Sequence, residues 1–386
     1  MARNIITGID VGTHTIRVVI SELIKGNGAA HIIGTGLAES KGLRHGYIVN
    51  DRDAVESISA AIAAAEKSSG ITIKSAYLSI GGISLESFIS TGTTVISRAD
   101  SEVTDLDIEK ISKSSEDNLP NIQNKKIIDT IFIKYKLDGK EVLGKPQGMK
   151  GTKLEVKTLF ITCLEQHLND LVHVVEEAGV DVDAYIAAPI AASLIALSKK
   201  QRVVGCVLVN LGAETVSLVV FDDDIPISLQ VFPIGSTDIT NDIALGLKIP
   251  LEEAERLKLG NLSDNHSKKK LDEIIEARLS DIFELVEAHL KKIGRNELLP
   301  AGVIITGGGA GIGTIEDLAR ATLKLPSRIA TPLLLTNQKG QVRDSSWFVA
   351  YGLCVYGFMD RRPSRGASMG SPVWGTIKGW LKELMP

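Results

Sequence analysis

GIDVGTHTIRVVI, at positions 8–20, is an apolar, β-branched run broken once by a short turn holding Gly12 and Thr13. The same pattern returns 200 positions later as LVNLGAETVSLVV, at 208–220. Gly12 falls on Gly212, Thr15 on Thr215, Val19 on Val219, and Asp10 on Asn210. Strand-forming residues on both sides of a Gly/Thr turn predict a buried β-hairpin. Two such hairpins far apart in one chain predict a duplicated domain with a cleft between the copies.

Outward from the hairpins, strands alternate with helices, the rhythm of an α/β architecture. Asp53 with Glu56 three residues on reads as a capping box, and Val55, Ile58, Ile62 and Ala65 form one stripe before Gly70 ends the element. Leu168, Leu171, Val172 and Val175 repeat the pattern, with Gly179 as the stop. A long helix is expected over 271–293, burying Ile275, Ile282 and Val286. Between 83 and 165 the rhythm changes to a Ser/Thr-rich start, a polar helix near 105–118, strands near 127–137 and 154–162, and a loop at Lys145-Pro146 and Gly148. Its length suits a small α+β subdomain inserted into the first half.

Composition narrows the function. The chain has 386 residues, 43 Lys and Arg against 47 Asp and Glu, and a net charge of −4, which disfavours nucleic acid as a partner. Aromatics are 4%, too few for a base-stacking sheet. Cys163, Cys206 and Cys354 stand far apart in no CxxC pair, which argues against a zinc site or disulfide framework and predicts a reducing cytosol. The start carries no visible signal peptide, and no apolar run reaches the ~18 residues of a membrane span.

The 36 glycines exceed the ~7% of an average chain, and they cluster. A hairpin turn of Gly and Thr presents backbone N–H groups and a hydroxyl to a phosphate, and Asp10 just before it suits a hydrated magnesium ion. A core strand ending in a tight turn explains one such motif equally well. A third loop, VIITGGGAGIG (303–313), follows an apolar strand and opens a helix at Thr314. Three consecutive glycines exceed what a turn requires and suit a backbone passing close to a ligand. No acidic residue follows in the dinucleotide-fold position, so a Rossmann site is disfavoured.

Together these loops resemble the actin-like ATPase superfamily, and in detail the FtsA family of bacterial cell-division proteins. VFPIGSTDITNDIA (231–244) and PLEEAERLK (250–258) are similar to the family's segments after its second hairpin, and AAPIAAS (187–193) looks like its first interdomain helix. The resemblance runs in order over essentially the whole chain. It implies duplicated actin-like (ribonuclease H-like) α/β domains around a nucleotide cleft. The first half (1A) would be 1–82 with 166–200. A 1C-type α+β subdomain would span 83–165. The second half (2A, with 2B at about 236–299) would span 201–360. A flexible linker, 361–372, and a membrane-targeting amphipathic helix, 373–386, would follow.

By the same resemblance ATP and Mg lie between the halves. Gly12, Thr13 and His14 would hold one side of the phosphates, and Gly212, Ala213, Glu214 and Thr215 the other. Gly235 would approach the nucleotide, Glu255 and Lys258 would meet the ribose or adenine, and Gly307, Gly308 and Gly309 would back the adenosine. Asp10 would hold Mg through water. On the residues alone, Glu255 and Lys258 are an i, i+3 pair on a charged helix, which reads as solvated surface. Two positions depart from the superfamily pattern: Asn210 replaces an Asp, and Ala213-Glu214 occupies a Gly-rich turn. Asn cannot take a proton from water, so the chain is expected to be at most a weak ATPase.

The resemblance implies a cytoskeletal adaptor that polymerises with itself and binds the FtsZ C-terminal peptide, tethering FtsZ filaments to the cytoplasmic face of the membrane at the division site. Other division proteins would meet the 1C-type subdomain. A PilM-like pilus-assembly protein is the nearest alternative, and a sugar-kinase-type phosphotransferase a more distant one that Asn210 argues against.

The tail argues against the PilM-like alternative. RRPSRGASMGSP (361–372) is linker-like, and VWGTIKGWLKELMP follows. At 100° per residue Val373, Trp374, Ile377, Trp380, Leu381, Leu384 and Met385 share an arc of roughly 140°. Lys378 and Lys382 flank it, as an interfacial helix on anionic lipid requires. A terminal helix docked on the core shows the same stripe. Helical content of the tail peptide should rise when anionic vesicles are added, and Trp380→Glu should release the protein from liposomes in co-sedimentation. If Trp380→Glu unfolds the protein instead of detaching it, the stripe belongs to the core.

Overall fold

The fold comes from a computed structural model in which residues 4–23, 30–120, 122–260, 267–332 and 344–360 are described. The linker and amphipathic segment predicted at 361–372 and 373–386 lie outside the described residues. No helix among the described residues is long and apolar enough to cross a membrane.

The first half opens with β1 (Ile5–Val11), β2 (Thr15–Leu23) and β3 (Ala30–Glu39), then a small hairpin of β4 (Leu43–Arg44) and β5 (Tyr47–Ile48). Helix α1 (Asp51–Ser69) and β6 (Ser75–Ile80) follow. The N-cap of α1 is Asn50, whose side chain accepts from the Asp53 N–H at 3.3 Å, so the cap expected at Asp53 sits one turn earlier. The Asn50 N–H donates to the Gly42 carbonyl and holds the residue extended, leaving its side chain to close the helix. The buried face accordingly includes Ala54 and Ala61 beside Ile58, Ile62 and Ala65, with Val55 at its margin, and Gly70 ends the helix at φ +71°.

The insertion contains β7 (Glu86–Val95), α2 (Asp105–Asp117), β8 (Lys125–Leu137), β9 (Lys140–Val142) and β10 (Lys153–Leu164), its sheet ordered β7-β10-β8-β9. At its far end Ile96, Val103, Ile111, Leu137, Leu154 and Val156 form a small separate core. At its near end Ile131, Leu159, Ile161 and Cys163 join the main core. The insertion is thus rooted in the body it grows from.

The chain returns through α3 (Glu165–Glu177), β11 (Asp181–Ala187), α4 (Ala188–Ala196) and α5 (Lys199–Val204). The second half repeats the first with β12 (Cys206–Leu211), β13 (Val216–Asp222) and β14 (Ile225–Phe232). Its helices are α6 (Ser236–Leu247), α7 (Leu251–Lys258) and α8 (Lys268–Lys292); then come β15 (Val303–Thr306), α9 (Ile315–Leu323), β16 (Ser327–Ile329) and α10 (Phe348–Asp360). The two large sheets run β3-β2-β1-β6-β11 and β14-β13-β12-β15-β16, each an antiparallel three-stranded meander extended by two parallel strands. The duplication read from the two hairpins therefore extends to whole sheets.

Alternation along β12 shows how the halves share their packing. Cys206 and Leu208 face the main core with the first half, whereas Val207 and Val209 face a second core roofed by α6, α8 and α9. Two helices cross between the sheets. Helix α10, the last element described, packs back on β1, β2 and β6 of the first half, while α4 reaches β12 and β13 of the second. A Cβ on Gly352 would lie 1.9 Å from the Ala191 carbonyl oxygen, and one on Gly8 2.3 Å from that of Ala350. Only glycine permits this approach. Gly352→Leu should push the crossing helices apart, cost ~1–3 kcal/mol, and lower the urea midpoint; an unchanged midpoint would show that the crossing is loose.

Candidate functional site in the interdomain cleft

The turns of both hairpins, the third glycine loop and the start of α4 enclose a cavity of about 310 Å³ between the halves, within the ~300–1,000 Å³ of small-molecule sites. Asp10, Gly12, Thr13 and His14 line it from the first half, and Asn210, Gly212, Ala213 and Thr215 from the second. Glu255, Lys258 and Gly307, Gly308 and Gly309 complete the expected wall. The chain brings these residues together from four separate segments.

Two expected residues do not line the cavity. Gly235 packs behind the second turn, where a Cβ would stand 2.2 Å from the Ala213 carbonyl oxygen. Glu214 turns away from the cavity and reaches across the cleft, its Oε2 accepting the His45 backbone N–H at 2.5 Å. In return His45 Nδ1 lies 3.2 Å from the Glu214 carbonyl oxygen; a carbonyl only accepts, so this nitrogen carries the proton. The turn holding His45 is itself fixed, since Gly46 approaches Gly82 too closely for any Cβ. Glu214 therefore adds no charge to the cavity and instead fastens one half to the other.

Asp10 and Asn210 occupy matching ends of β1 and β12. Asp10 accepts from Ser79 Oγ at 2.8 Å, and burial raises its pKa against the opposing pull of that bond and of Arg17. Arg17 stands opposite Asp10 in the β1–β2 register and lies over the Trp347 ring, 5.8 Å from its centroid. Burial pulls the Arg17 pKa down while Asp10 and Asp344 hold it up, and its Nε has no hydrogen-bond partner among the described residues. The side chain lines the cavity, and a buried guanidinium with an unsatisfied N–H brings positive charge to a wall where an anion would complete it. Arg17, Ser79 and Asp344 were not singled out from the sequence. The signal for Arg17 was present: a basic residue set among the apolar Ile16, Val18, Val19 and Ile20.

Glu255 and Lys258 are not the solvated pair their spacing suggests. Lys258 is buried; its Nζ lies 2.7 Å from Glu255 Oε2 and donates to the Ser236 carbonyl at 3.1 Å and to Thr240 Oγ1 at 2.9 Å. Thr240 Oγ1 also donates to Glu255. Burial pushes the Glu255 carboxyl up, but the bonds from Lys258 and Thr240 outweigh it and hold the pKa below the usual range. The pair fixes α7 against α6 at the cavity wall.

The third loop shows why it needs glycine. Gly307 sits at φ +97°, and a Cβ there would lie 2.4 Å from both Asn210 Oδ1 and the Leu211 carbonyl oxygen. A Cβ on Gly309 would strike the Leu211 side chain, whereas on Gly308 or Gly311 it would meet nothing within 4 Å. The backbone is pressed to the second hairpin on one side and open to the cavity on the other. Thr306 Oγ1 and Ser345 Oγ tie the loop to the segment before α10. This cradle and the orphaned Arg17 nitrogen fit an anionic, planar ligand such as a nucleotide. Among the described residues no group of three or more His, Cys, Asp or Glu gathers as a metal site, so a cation here would rest on Asp10, water and the ligand's own oxygens.

Two α/β halves of one topology, joined by crossing helices around a glycine-walled cleft, define the actin-like ATPase fold. Solved structures share it: a chain of the PilM–PilN type IV pilus biogenesis complex matches with TM-score 0.68 at 15% identity, covering 93% of this chain and 99% of that one. MreB 5 of Spiroplasma citri bound to AMPPNP matches with TM-score 0.53 at 14% identity, covering 91% and 95%. The sequence narrows the class. A family model described as Cell division protein FtsA matches residues 207–352, and one described as SHS2 domain inserted in FTSA matches 82–162. The Cell division protein FtsA of Borreliella burgdorferi is 30% identical over 413 aligned positions, covering 99% of this chain and 100% of the relative. The chain belongs to the FtsA family of cell division proteins.

The cross-cleft fastening is open to test without any ligand. Glu214→Ala should speed exchange of the His45 amide about tenfold or more, in keeping with a carboxylate hydrogen bond of ~1.5–3 kcal/mol. Unaltered exchange in the ligand-free protein would show that the contact holds nothing.

Proposed function

We propose that this chain binds Mg-ATP in the interdomain cleft, polymerises, and tethers FtsZ filaments to the cytoplasmic face of the membrane at the division site, with slow or absent hydrolysis. The observation that carries the reading is the cleft itself: matching hairpin turns and an open glycine wall around an unpaired Arg17 nitrogen, in a chain of the FtsA family. Backbone and hydroxyl groups of Gly12, Thr13 and His14 and of Gly212, Ala213 and Thr215 would face the phosphates from either half. Arg17 would neutralise them, and Asp10 would hold the magnesium through water. Gly307, Gly308 and Gly309 would lie along the adenosine, with Glu255 and Lys258 at the ribose or adenine. Gly235 would act from behind, by letting the second turn sit close. Bound ATP would supply phosphate charge that draws the two turns together.

Slow hydrolysis follows from what surrounds the phosphate end. Asn210 cannot accept a proton from water, and its side chain is pressed against Gly307. Ala188, where α4 meets the cavity, offers no base either. ATP would then serve to hold the halves closed for polymerisation. Binding of the FtsZ C-terminal peptide, of anionic lipid through Val373, Trp374, Ile377, Lys378, Trp380, Leu381, Lys382, Leu384 and Met385, and of other division proteins through the insertion completes the role. A filament presents many weak tails at once, so attachment strengthens by avidity.

Gly308→Asp places a carboxylate in the open space of the cradle. Calorimetry should show Mg-ATP affinity reduced by about tenfold or more, a loss of ~1.4 kcal/mol, and vesicles coated with this variant should recruit fewer FtsZ polymers than wild type. Equal affinity would put the nucleotide elsewhere. Vesicles that recruit no FtsZ with wild type would overturn the tethering role.

A further inference from the structure

Although 83–165 is inserted into the first half, it also grips the second. Strand β7 lies against β14, the edge strand of the second sheet. Ser87 Oγ donates to the Leu229 carbonyl at 2.8 Å and accepts the Leu229 N–H at 2.8 Å. One hydroxyl thus satisfies both outward backbone groups at that point of an otherwise open edge. Strands β8 and β10 also touch β14, and the Leu229 side chain is buried in the main core.

The other end of β14 leads to the cavity. Four residues after Phe232, helix α6 begins and its first amides bond to the second hairpin turn: the Ser236 N–H to the Gly212 carbonyl at 2.9 Å, the Thr237 N–H to the Ala213 carbonyl at 2.8 Å. Gly235 lies flat against that turn. Direct contacts therefore run from the turn at 212–215 to the end of β14, and along β14 to Ser87. The insertion is attached covalently to one half and by hydrogen bonds to the other.

We propose that Ser87 is the positioning residue that couples the nucleotide cleft to the inserted subdomain, so that closing the second hairpin turn on a nucleotide resets β7 through β14. The proposal rests on the nucleotide-binding reading above. It makes the insertion's exposed surface respond to the state of the cleft, although no insertion residue lines the cavity. It also separates two roles in the second half: the turn senses, and the edge strand transmits.

Hydrogen exchange of the full-length protein, with and without Mg and a non-hydrolysable ATP analogue, tests this. In wild type the analogue should slow exchange at 210–215 and also across 86–95, by about threefold or more. Ser87→Ala should keep the analogue's affinity and the response at 210–215 but lose the response across 86–95. Ser87→Thr, which keeps the hydroxyl, should restore it. Should Ser87→Ala fail to fold, the Thr variant and wild type still decide: a wild-type response at 210–215 with none across 86–95 overturns the coupling. A full response across 86–95 in folded Ser87→Ala overturns it as well. No response at 210–215, with no heat of binding in calorimetry, would instead remove the nucleotide reading and the coupling with it.

Discussion

The contact between the Gly352 backbone and the Ala191 carbonyl sets how closely α10 and α4 cross, and the two halves hang from that crossing. Helix α10 belongs to the second half by chain order yet packs on the first sheet, and α4 does the converse. Because each half lends a helix to the other, the main core is built from both. The spacing of the crossing sets the spacing of the sheets, hence of the hairpin turns, hence the width of the cavity.

Within that frame the halves have diverged where the symmetry matters chemically. At matching strand ends one carries a buried carboxylate braced by Ser79 and Arg17, the other an amide braced by Gly307. At these two strand ends charge stands on one side only, while the other is an amide in close packing. The Glu214 to His45 bond across the cleft adds a fastening that does not depend on ligand.

Much of this was legible from the residues. Alternation of period two and the Gly/Thr turns located both hairpins, and the triple glycine located the third wall, because few other structures need those patterns. The insertion was legible as a break in rhythm. What escaped reading were contacts between residues remote in sequence. Asn50 and Asp53 are equally good caps on paper, and the Gly42 carbonyl decides between them. Glu214 and His45 stand 169 positions apart, so the direction of that carboxylate has no local signal. Lys258 reads as surface until α6 is laid against α7. The near end of the insertion reads as autonomous until its apolar residues are seen in the main core.

The covering of the β14 edge bears on how the chain is made. An open edge with buried-type residues such as Leu229 and Val231 is a template for pairing with another chain. Synthesis runs from the N-terminus, and domains tend to fold in that order. The insertion at 83–165 therefore leaves the ribosome well before Ile225–Phe232 does. When β14 emerges, the segment that covers it has already been synthesised, and Ser87 is available to its edge. Because the cover precedes the strand in the chain, no stage of synthesis has the edge made and its cover still unmade.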